Sequence, residues 1–190
     1  MKLICIGDSI VDGFPFERDV SFPAVIKSKA GWDVLNKGIS GQSSADINIR
    51  FGYEADAGAD IILILCGAND YIFDICGVDE TVENIRSMAA YASKKNIRIA
   101  VCSPPLCRPA QAAVCWADCD ISAYEHVNSQ LKDLSCRLRS LFDMDKIENS
   151  RFIDVQELYA DYAKYHDGVH PTVEGYRLIG EYIATELTAK

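Results

Sequence analysis

The sequence predicts an α/β fold in which helices cover both faces of a parallel sheet. Two observations lead to this prediction. Short apolar runs alternate with stretches whose apolar residues recur at helical spacing, which is typical of parallel β/α architecture. The run at residues 61–65 is apolar at every position, as expected of a central strand that is buried on both faces. No repeat, low-complexity tract or linker interrupts the pattern, so one domain is expected over residues 1–190.

The apolar runs predict the positions of the strands, and polar residues predict where three of the helices begin. Asp79 is the expected N-cap of one helix, Ser122 and Glu125 form a capping-box pattern at the start of a second, and Thr172 is expected to cap the last. The predicted strands lie at residues 3–6, 32–35, 61–65, 97–101 and 152–155. The last helix is expected to bury Val173, Tyr176, Ile179, Ile183 and Leu187.

Composition excludes several classes of partner. The formal net charge is −9 and the pI about 4.8, so the surface repels phosphate backbones and a nucleic-acid partner is not expected. No apolar run approaches the length of a membrane span, which argues against stable membrane insertion. Met1 and Lys2 lead straight into the first apolar run without a secretory leader, so a cytoplasmic location is expected.

The eight cysteines fall into two groups with different expectations. Those inside or at the ends of apolar runs are expected to be small buried hydrophobes, namely Cys5, Cys66 and Cys102. A second group clusters in one loop-like stretch and consists of Cys107, Cys115 and Cys119. Metal binding, a disulfide and free thiols all remain open for this cluster. Because it lacks a Cys-x-x-Cys pair, no metal site is predicted.

Two motifs near opposite ends of the chain supply the groups that serine hydrolysis needs. Gly7-Asp8-Ser9 follows the first apolar run, and Asp167-Gly168-Val169-His170 lies near the C-terminal end. A serine hydroxyl is a weak nucleophile until a base removes its proton, and a carboxylate orients that base. The spacing lets Asp167 reach Nδ1 of His170 and leaves Nε2 to face Ser9. These three residues are the predicted catalytic groups, and the parallel sheet would bring them to one edge.

Between these motifs lie Gly38-Ile39-Ser40-Gly41 and Gly67-Ala68-Asn69-Asp70. Taken in order, the four motifs resemble the SGNH superfamily, also called GDSL-type esterases and lipases. The blocks of that family carry a serine, a glycine, an asparagine and a histidine, which match Ser9, Gly41, Asn69 and His170 here. One small departure is Ile10, where the namesake motif has leucine. The resemblance implies the SGNH hydrolase fold, a three-layer α/β/α sandwich with a flavodoxin-like parallel sheet of about five strands in the order 2-1-3-4-5.

The resemblance also implies an activity. It indicates a carboxylic ester hydrolase that works through a Ser-His-Asp triad and an acyl-enzyme intermediate, with no cofactor and no metal. The expected oxyanion hole consists of the backbone N–H groups of Ser9 and Gly41 and the side-chain amide of Asn69. The expected partner is a small-molecule ester, with short-chain acyl or acetyl esters as the leading substrates. Asp8 and Asp70, beside the catalytic candidates, are expected to hold the loops as hydrogen-bond acceptors.

Substrate preference is the least determined property. Aromatic residues near the predicted rim could line an acyl pocket or serve in packing, chiefly Tyr71, Phe14 and Trp116, together with Phe16 and Phe73. The irregular segment 103–118 is a candidate lid. An O-acyltransferase that uses the same triad remains an alternative, as does a lysophospholipase or thioesterase. A non-catalytic binding protein is disfavoured because all of the motif side chains are present.

Overall fold

A computed structural model describes residues 1–116, 120–142, 149–156, 158 and 165–189. Within these residues a parallel sheet is formed by β1 (Lys2–Gly7), β2 (Asp33–Gly38), β3 (Ile61–Leu65), β4 (Arg98–Cys102) and β5 (Ser150–Ile153). Its strand order is β2-β1-β3-β4-β5, which confirms the flavodoxin-like order implied by the resemblance. The apolar runs located the strands but not their ends. For example, β2 continues to Gly38, which pairs with Gly7, because backbone pairing extends beyond the apolar residues.

Helices cover both faces of the sheet. In chain order the α-helices are α1 (Ser9–Asp12), α2 (Phe22–Ala30), α3 (Ser44–Asp56), α4 (Ala68–Ile72), α5 (Val78–Lys94), α6 (Pro109–Cys115), α7 (Ile121–Phe142) and α8 (Val173–Thr188), with a short 3₁₀ turn at Arg18–Val20. Apolar residues of α2 and α8 form a core on one face, and those of α3, α5 and α7 form a core on the other. The predicted three-layer sandwich is therefore confirmed.

The alternation of strand side chains explains the two cores. Along β1, Ile4 and Ile6 point to the layer of α3, α5 and α7, whereas Leu3 and Cys5 point to the layer of α2 and α8. In β3 every residue is buried, as predicted, because both of its faces are covered. The expected burial of Cys5, Cys66 and Cys102 is also confirmed.

Two of the three predicted helix starts are wrong. Helix α5 begins at Val78 after the N-cap Gly77, so Asp79 lies in the first turn and pairs with Arg137 instead of capping. Helix α7 begins at Ile121 because the Ala123 N–H already donates to the Asp120 carbonyl, which places Ser122 inside the helix.

The N-cap of α8 was predicted correctly. The side chain of Thr172 accepts a hydrogen bond from the Gly175 N–H at 3.3 Å. The inward stripe of this helix begins one turn later than expected, since Val173 is 45% exposed in the first turn and Tyr176 is fully buried.

The sheet brings the motifs to one edge. Ser9 follows β1, Gly41 follows β2 and Asn69 follows β3, so all three lie at the carboxyl ends of neighbouring strands, where open α/β sheets bind their ligands. The Asp167–His170 loop directly precedes α8. Within the described part of the chain, no helix is both long and apolar enough to cross a bilayer.

Candidate active site

Ser9 lies at the first position of α1, immediately after β1. Asp8 begins this turn, and its Oδ1 accepts a hydrogen bond from the Ile10 N–H at 3.0 Å. Such short side-chain-to-backbone bonds turn a chain sharply from a strand into a helix. The turn presents the Ser9 hydroxyl at the edge of the sheet, where the side chain is 7% exposed.

His170 stands across from Ser9. Its Nε2 lies 2.9 Å from Ser9 Oγ, and its Nδ1 lies 2.8 Å from Asp167 Oδ2. The other oxygen, Asp167 Oδ1, accepts from the backbone N–H groups of Val169 and His170 at 2.9 and 2.7 Å. Both carboxylate oxygens are therefore bonded, which fixes the carboxylate and the imidazole that it faces.

The electrostatics of Asp167 favour its charged form. Burial acts to raise the pKa of this carboxyl, but the hydrogen bonds from the His170 ring and from two backbone N–H groups outweigh it and lower the pKa to about 2. A charged Asp167 accepts a hydrogen bond from the N–H at Nδ1 of His170, so the Nε2 lone pair faces the Ser9 hydroxyl.

The loop that follows β2 carries Gly41. This glycine has a φ of +84°, a backbone conformation that other residues rarely adopt. Its loop is held by Ser40, whose hydroxyl donates to Asp12 Oδ2 at 2.9 Å, and by Ser43, which caps α3 in a capping box with Asp46. The backbone at Gly41 is thereby left open at the edge of the sheet.

Asn69 lies in the first turn of α4, and its amide is oriented by the Gly41 loop. Asn69 Nδ2 donates to the Gln42 carbonyl at 2.9 Å. The neighbouring Asp70 is fully buried and binds Ser44, accepting from its N–H at 3.0 Å and its hydroxyl at 2.5 Å. The expectation that Asp70 holds the loops as an acceptor is confirmed. Asn69 and Asp70 thus join α4 to Gln42 and to Ser44 at the start of α3.

Two aromatic rings contact the imidazole of His170. The ring of Phe14 lies 4.7 Å from it in an edge-on arrangement, and that of Trp116 lies 5.6 Å away. These rings are 39% and 43% exposed, whereas His170 is 5% exposed. They therefore form part of the surface around the buried site.

The remaining aromatic candidates lie elsewhere. Tyr71 is buried in the apolar core between the sheet and the layer of α3, α5 and α7, and it also lines a cavity against α7. Phe16 contacts the ring of His166, and Phe73 is exposed just after α4. Of the three residues predicted to bind substrate, only Phe14 and Trp116 contact a triad candidate.

The segment 103–118 was expected to be irregular, but it contains α6. This helix packs on the Asp167–His170 loop, since the Arg108 N–H donates to the Gly168 carbonyl at 2.7 Å. Cys107 is buried and Cys115 is exposed, and both are free thiols; Cys119 lies outside the described residues.

Sequence reasoning missed Arg50 on α3. Its Nε donates to Gln42 Oε1 at 2.7 Å, and its Nη2 donates to the carbonyls of Lys37 at 2.8 Å and Gly7 at 3.1 Å. One signal was available, because Arg50 is a charged residue placed one turn after the buried Ile47, beside the apolar stripe of its helix.

The comparisons with known proteins identify the family of the chain. The model of the GDSL-like Lipase/Acylhydrolase family matches residues 5–178. The chain belongs to this family. As a GDSL-like acylhydrolase it is a carboxylic ester hydrolase. A comparison with curated proteins finds no match.

Solved structures share the fold of this acylhydrolase at low sequence identity. A member of the lipolytic protein G-D-S-L family from Veillonella parvula is 17% identical, with a TM-score of 0.77 over 99% of this chain and 97% of that one. The aryl esterase of M. smegmatis is 18% identical, with a TM-score of 0.77 over 98% and 97%. A carbohydrate acetylesterase family member from Sinorhizobium meliloti is 19% identical, with a TM-score of 0.78 over 98% and 96%.

Proposed function

We propose that this acylhydrolase is a serine esterase in which Ser9 is the nucleophile, His170 the base and Asp167 the orienting carboxylate. One observation carries the proposal. An unbroken chain of hydrogen bonds joins Ser9 Oγ to His170 Nε2 at 2.9 Å and His170 Nδ1 to Asp167 Oδ2 at 2.8 Å, and all three side chains are buried. This arrangement is the one that activates a serine for acyl transfer.

The reaction proceeds in two steps. Ser9 Oγ attacks the ester carbonyl while its proton passes to His170 Nε2, and the carbonyl oxygen becomes an oxyanion. The bond to the alcohol then breaks, the alcohol takes the proton from Nε2, and an acyl-Ser9 ester remains. Water attacks this ester by the same route, with His170 first accepting and then returning a proton, which releases the acid and restores Ser9.

The oxyanion is stabilised by the N–H groups of Ser9 and Gly41 and by the amide of Asn69. The bond from Asn69 Nδ2 to the Gln42 carbonyl supports this role, because it uses one amide hydrogen and fixes the direction of the other. The left-handed backbone at position 41 favours glycine over other residues. Because glycine has no side chain, none blocks the place where the substrate must approach. Donors that are fixed before the reaction stabilise a developing charge most effectively.

We expect Phe14 and Trp116 to serve the alcohol part of the ester and not the acyl pocket. The leaving alcohol takes its proton from His170 Nε2, so it must lie beside the imidazole that both rings contact. We expect the two rings to contact the alcohol group. Two structural neighbours, an aryl esterase and a carbohydrate acetylesterase family member, make small acyl groups on ring-shaped alcohols the first substrates to test.

The test measures initial rates on two series of esters. The first series varies the acyl chain of p-nitrophenyl esters from acetate to laurate, and the second varies the alcohol of acetate esters from ethyl to phenyl and sugar. We expect the highest rates with short acyl chains. Ser9→Ala should lower kcat by on the order of 10⁴- to 10⁶-fold, because the nucleophile is lost.

Ser87→Ala is the matched control. Ser87 is an exposed serine on α5, one of the helices that cover the sheet. It should keep wild-type rates. An organophosphonate should label the wild type and the control at Ser9 and should leave Ser9→Ala unlabelled. Turnover that survives in Ser9→Ala would refute the assignment of the nucleophile.

A further inference from the structure

Arg50 holds together the segments that carry the proposed oxyanion donors. Its guanidinium projects from α3, and the side chain is only 15% exposed. It donates to the Gly7 carbonyl at the end of β1, to the Lys37 carbonyl near the end of β2, and to the Gln42 side chain in the loop before α3. One side chain thus joins three separate segments at the carboxyl edge of the sheet.

Two of these three contacts lie close to a proposed donor. Gly7 precedes Ser9 by two residues, and Gln42 directly follows Gly41. The Gln42 carbonyl also accepts the hydrogen bond that orients Asn69. Arg50 therefore holds the backbone near Ser9 directly, and it holds the side chain of Gln42, the residue that follows Gly41 and whose carbonyl orients the Asn69 amide.

We propose that Arg50 is a positioning residue that sets the spacing of the oxyanion donors. The inference rests on the proposed function, because it assigns a role relative to the oxyanion of that reaction. Arg50 bonds to carbonyl and amide oxygens behind the donors and not to the reacting groups. Loss of Arg50 should therefore weaken the stabilisation of the transition state, in which the donors bind the oxyanion.

The chemistry of arginine suits this role better than that of lysine. The planar guanidinium presents several N–H groups in a fixed fork, which allows simultaneous bonds to Gly7, Lys37 and Gln42. Glu54, one turn later on α3, lies 3.7 Å from Arg50 Nη1 and compensates the enclosed positive charge. The three N–H groups of a lysine lie on one nitrogen, so they could not take the places of both Nε and Nη2 of Arg50.

The test compares Arg50→Ala and Arg50→Lys with Lys37→Met. Lys37 also pairs with Glu54, at 3.0 Å, so its variant removes a cation from the same cluster but keeps every N–H of Arg50. We expect kcat to fall by about 10- to 100-fold in both Arg50 variants, with KM within roughly threefold of wild type, because a displaced donor weakens binding of the transition state. Lys37→Met should keep the wild-type kcat.

Two further readouts separate positioning from a general loss of structure. Rates are divided by the concentration of active sites, which is titrated with an organophosphonate. Unfolded protein does not react with the titrant and therefore does not enter the value of kcat. Added guanidinium ion should restore part of kcat in Arg50→Ala and none in Ser9→Ala. The shape of the pH–rate profile should stay that of the wild type, because Arg50 does not bond to His170 or Asp167. If Arg50→Ala fails to fold, Arg50→Lys supplies the same comparison.

A folded Arg50 variant with the wild-type kcat, or one that changes only KM, would overturn the inference. So would a loss of kcat that guanidinium cannot restore in Arg50→Ala. Failure of the proposed function looks different, since the wild type itself would then lack Ser9-dependent turnover, and both proposals would fall together.

Discussion

At the scale of single residues, Asp8 and Asp167 are two buried carboxyls near His170 with opposite properties. Burial raises the pKa of Asp8 to about 7, helped by Asp70, although the Ile10 N–H and His170 act to lower it. Asp8 Oδ1 has the Ile10 N–H as its partner, whereas Oδ2 has no hydrogen-bond partner among the described residues. The expectation that Asp8 holds its loop as an acceptor is met by one oxygen only.

The raised pKa of Asp8 predicts a pH dependence of stability. Between its ordinary value of 3.8 and about 7, the unfolded chain ionises Asp8 while the folded protein keeps it protonated. The unfolded state then binds fewer protons, so this residue lowers the free energy of unfolding as pH rises, by up to about 1.4 kcal/mol per pH unit. Asp8→Asn removes the effect. Urea unfolding at several pH values should show that the free energy of unfolding of the variant rises relative to that of the wild type from about pH 4 to about pH 7.

Asp167→Asn is the control with the opposite sign. Because the pKa of Asp167 is lowered, its stabilising effect is present above the ordinary value of 3.8 and is lost as pH falls toward about 2. The two variants should therefore diverge from the wild type in different pH ranges. If the unfolding free energies of Asp8→Asn and wild type ran parallel from pH 4 to 7, the raised pKa of Asp8 would be wrong.

At the scale of elements, α6 and the Asp167–His170 loop depend on each other through Gly168. This glycine has a φ of +88°, and a Cβ built on it would lie 2.3 Å from the Ala112 backbone nitrogen of α6. No side chain fits there unless the helix moves. The close approach allows the 2.7 Å hydrogen bond from the Arg108 N–H to the Gly168 carbonyl, and it also brings Trp116 to His170.

Gly168→Ala should separate the helix from the loop. We expect a loss of stability of about 1–3 kcal/mol from backbone strain and the clash, and a fall in kcat of at least about tenfold as His170 loses its alignment. Gly58→Ala is the matched control, since Gly58 has a φ of +76° and open space where a Cβ would lie. Thermal unfolding and initial rates of both variants test this. Equal losses of stability and of kcat in the two variants would show that backbone strain alone, and not the clash with α6, causes them.

The same comparison of elements shows what the sequence could predict. Strands were located well, because burial on both faces leaves an apolar run that no other element of that length produces, as at Ile61–Leu65. Three of the four motifs were located because turn residues at strand ends carry the chemistry. Helix starts were less certain, since a polar residue such as Asp79 can serve in the first turn as readily as at the cap.

What could not be predicted depends on contacts between distant segments. The bonds from Arg50 to Gly7 and Lys37 span long stretches of sequence and leave no local pattern. The same holds for α6, whose short apolar segment is helical where it packs on Gly168. The position of Tyr71 just after Asn69 left both a place at the rim and a place in the packing open, and only the helical turn of α4 shows that the ring enters the core.

At the scale of the whole molecule, the strand order brings the site residues together, and the net charge determines the electrostatic potential around the protein. Strands β1, β2 and β3 are neighbours, so the residues that follow them meet without long connections. The chain carries a formal net charge of −9, and a charge of this size creates a potential that extends beyond direct contacts. We therefore expect a substrate that approaches the edge of the sheet to meet a negative field before it contacts Ser9.

This field predicts that salt will act differently on esters of different charge. For an ester with a carboxylate in its acyl chain, such as a p-nitrophenyl hemisuccinate, kcat/KM should rise by roughly two- to fivefold between about 0.01 and 0.2 M NaCl, because screening weakens the repulsion. A choline ester should show the opposite trend, and neutral p-nitrophenyl acetate should change little. Initial rates at low substrate concentration give kcat/KM for all three esters. A common response would mean that salt acts on the enzyme itself. A flat response of the charged esters would mean that the net charge produces no field at the site.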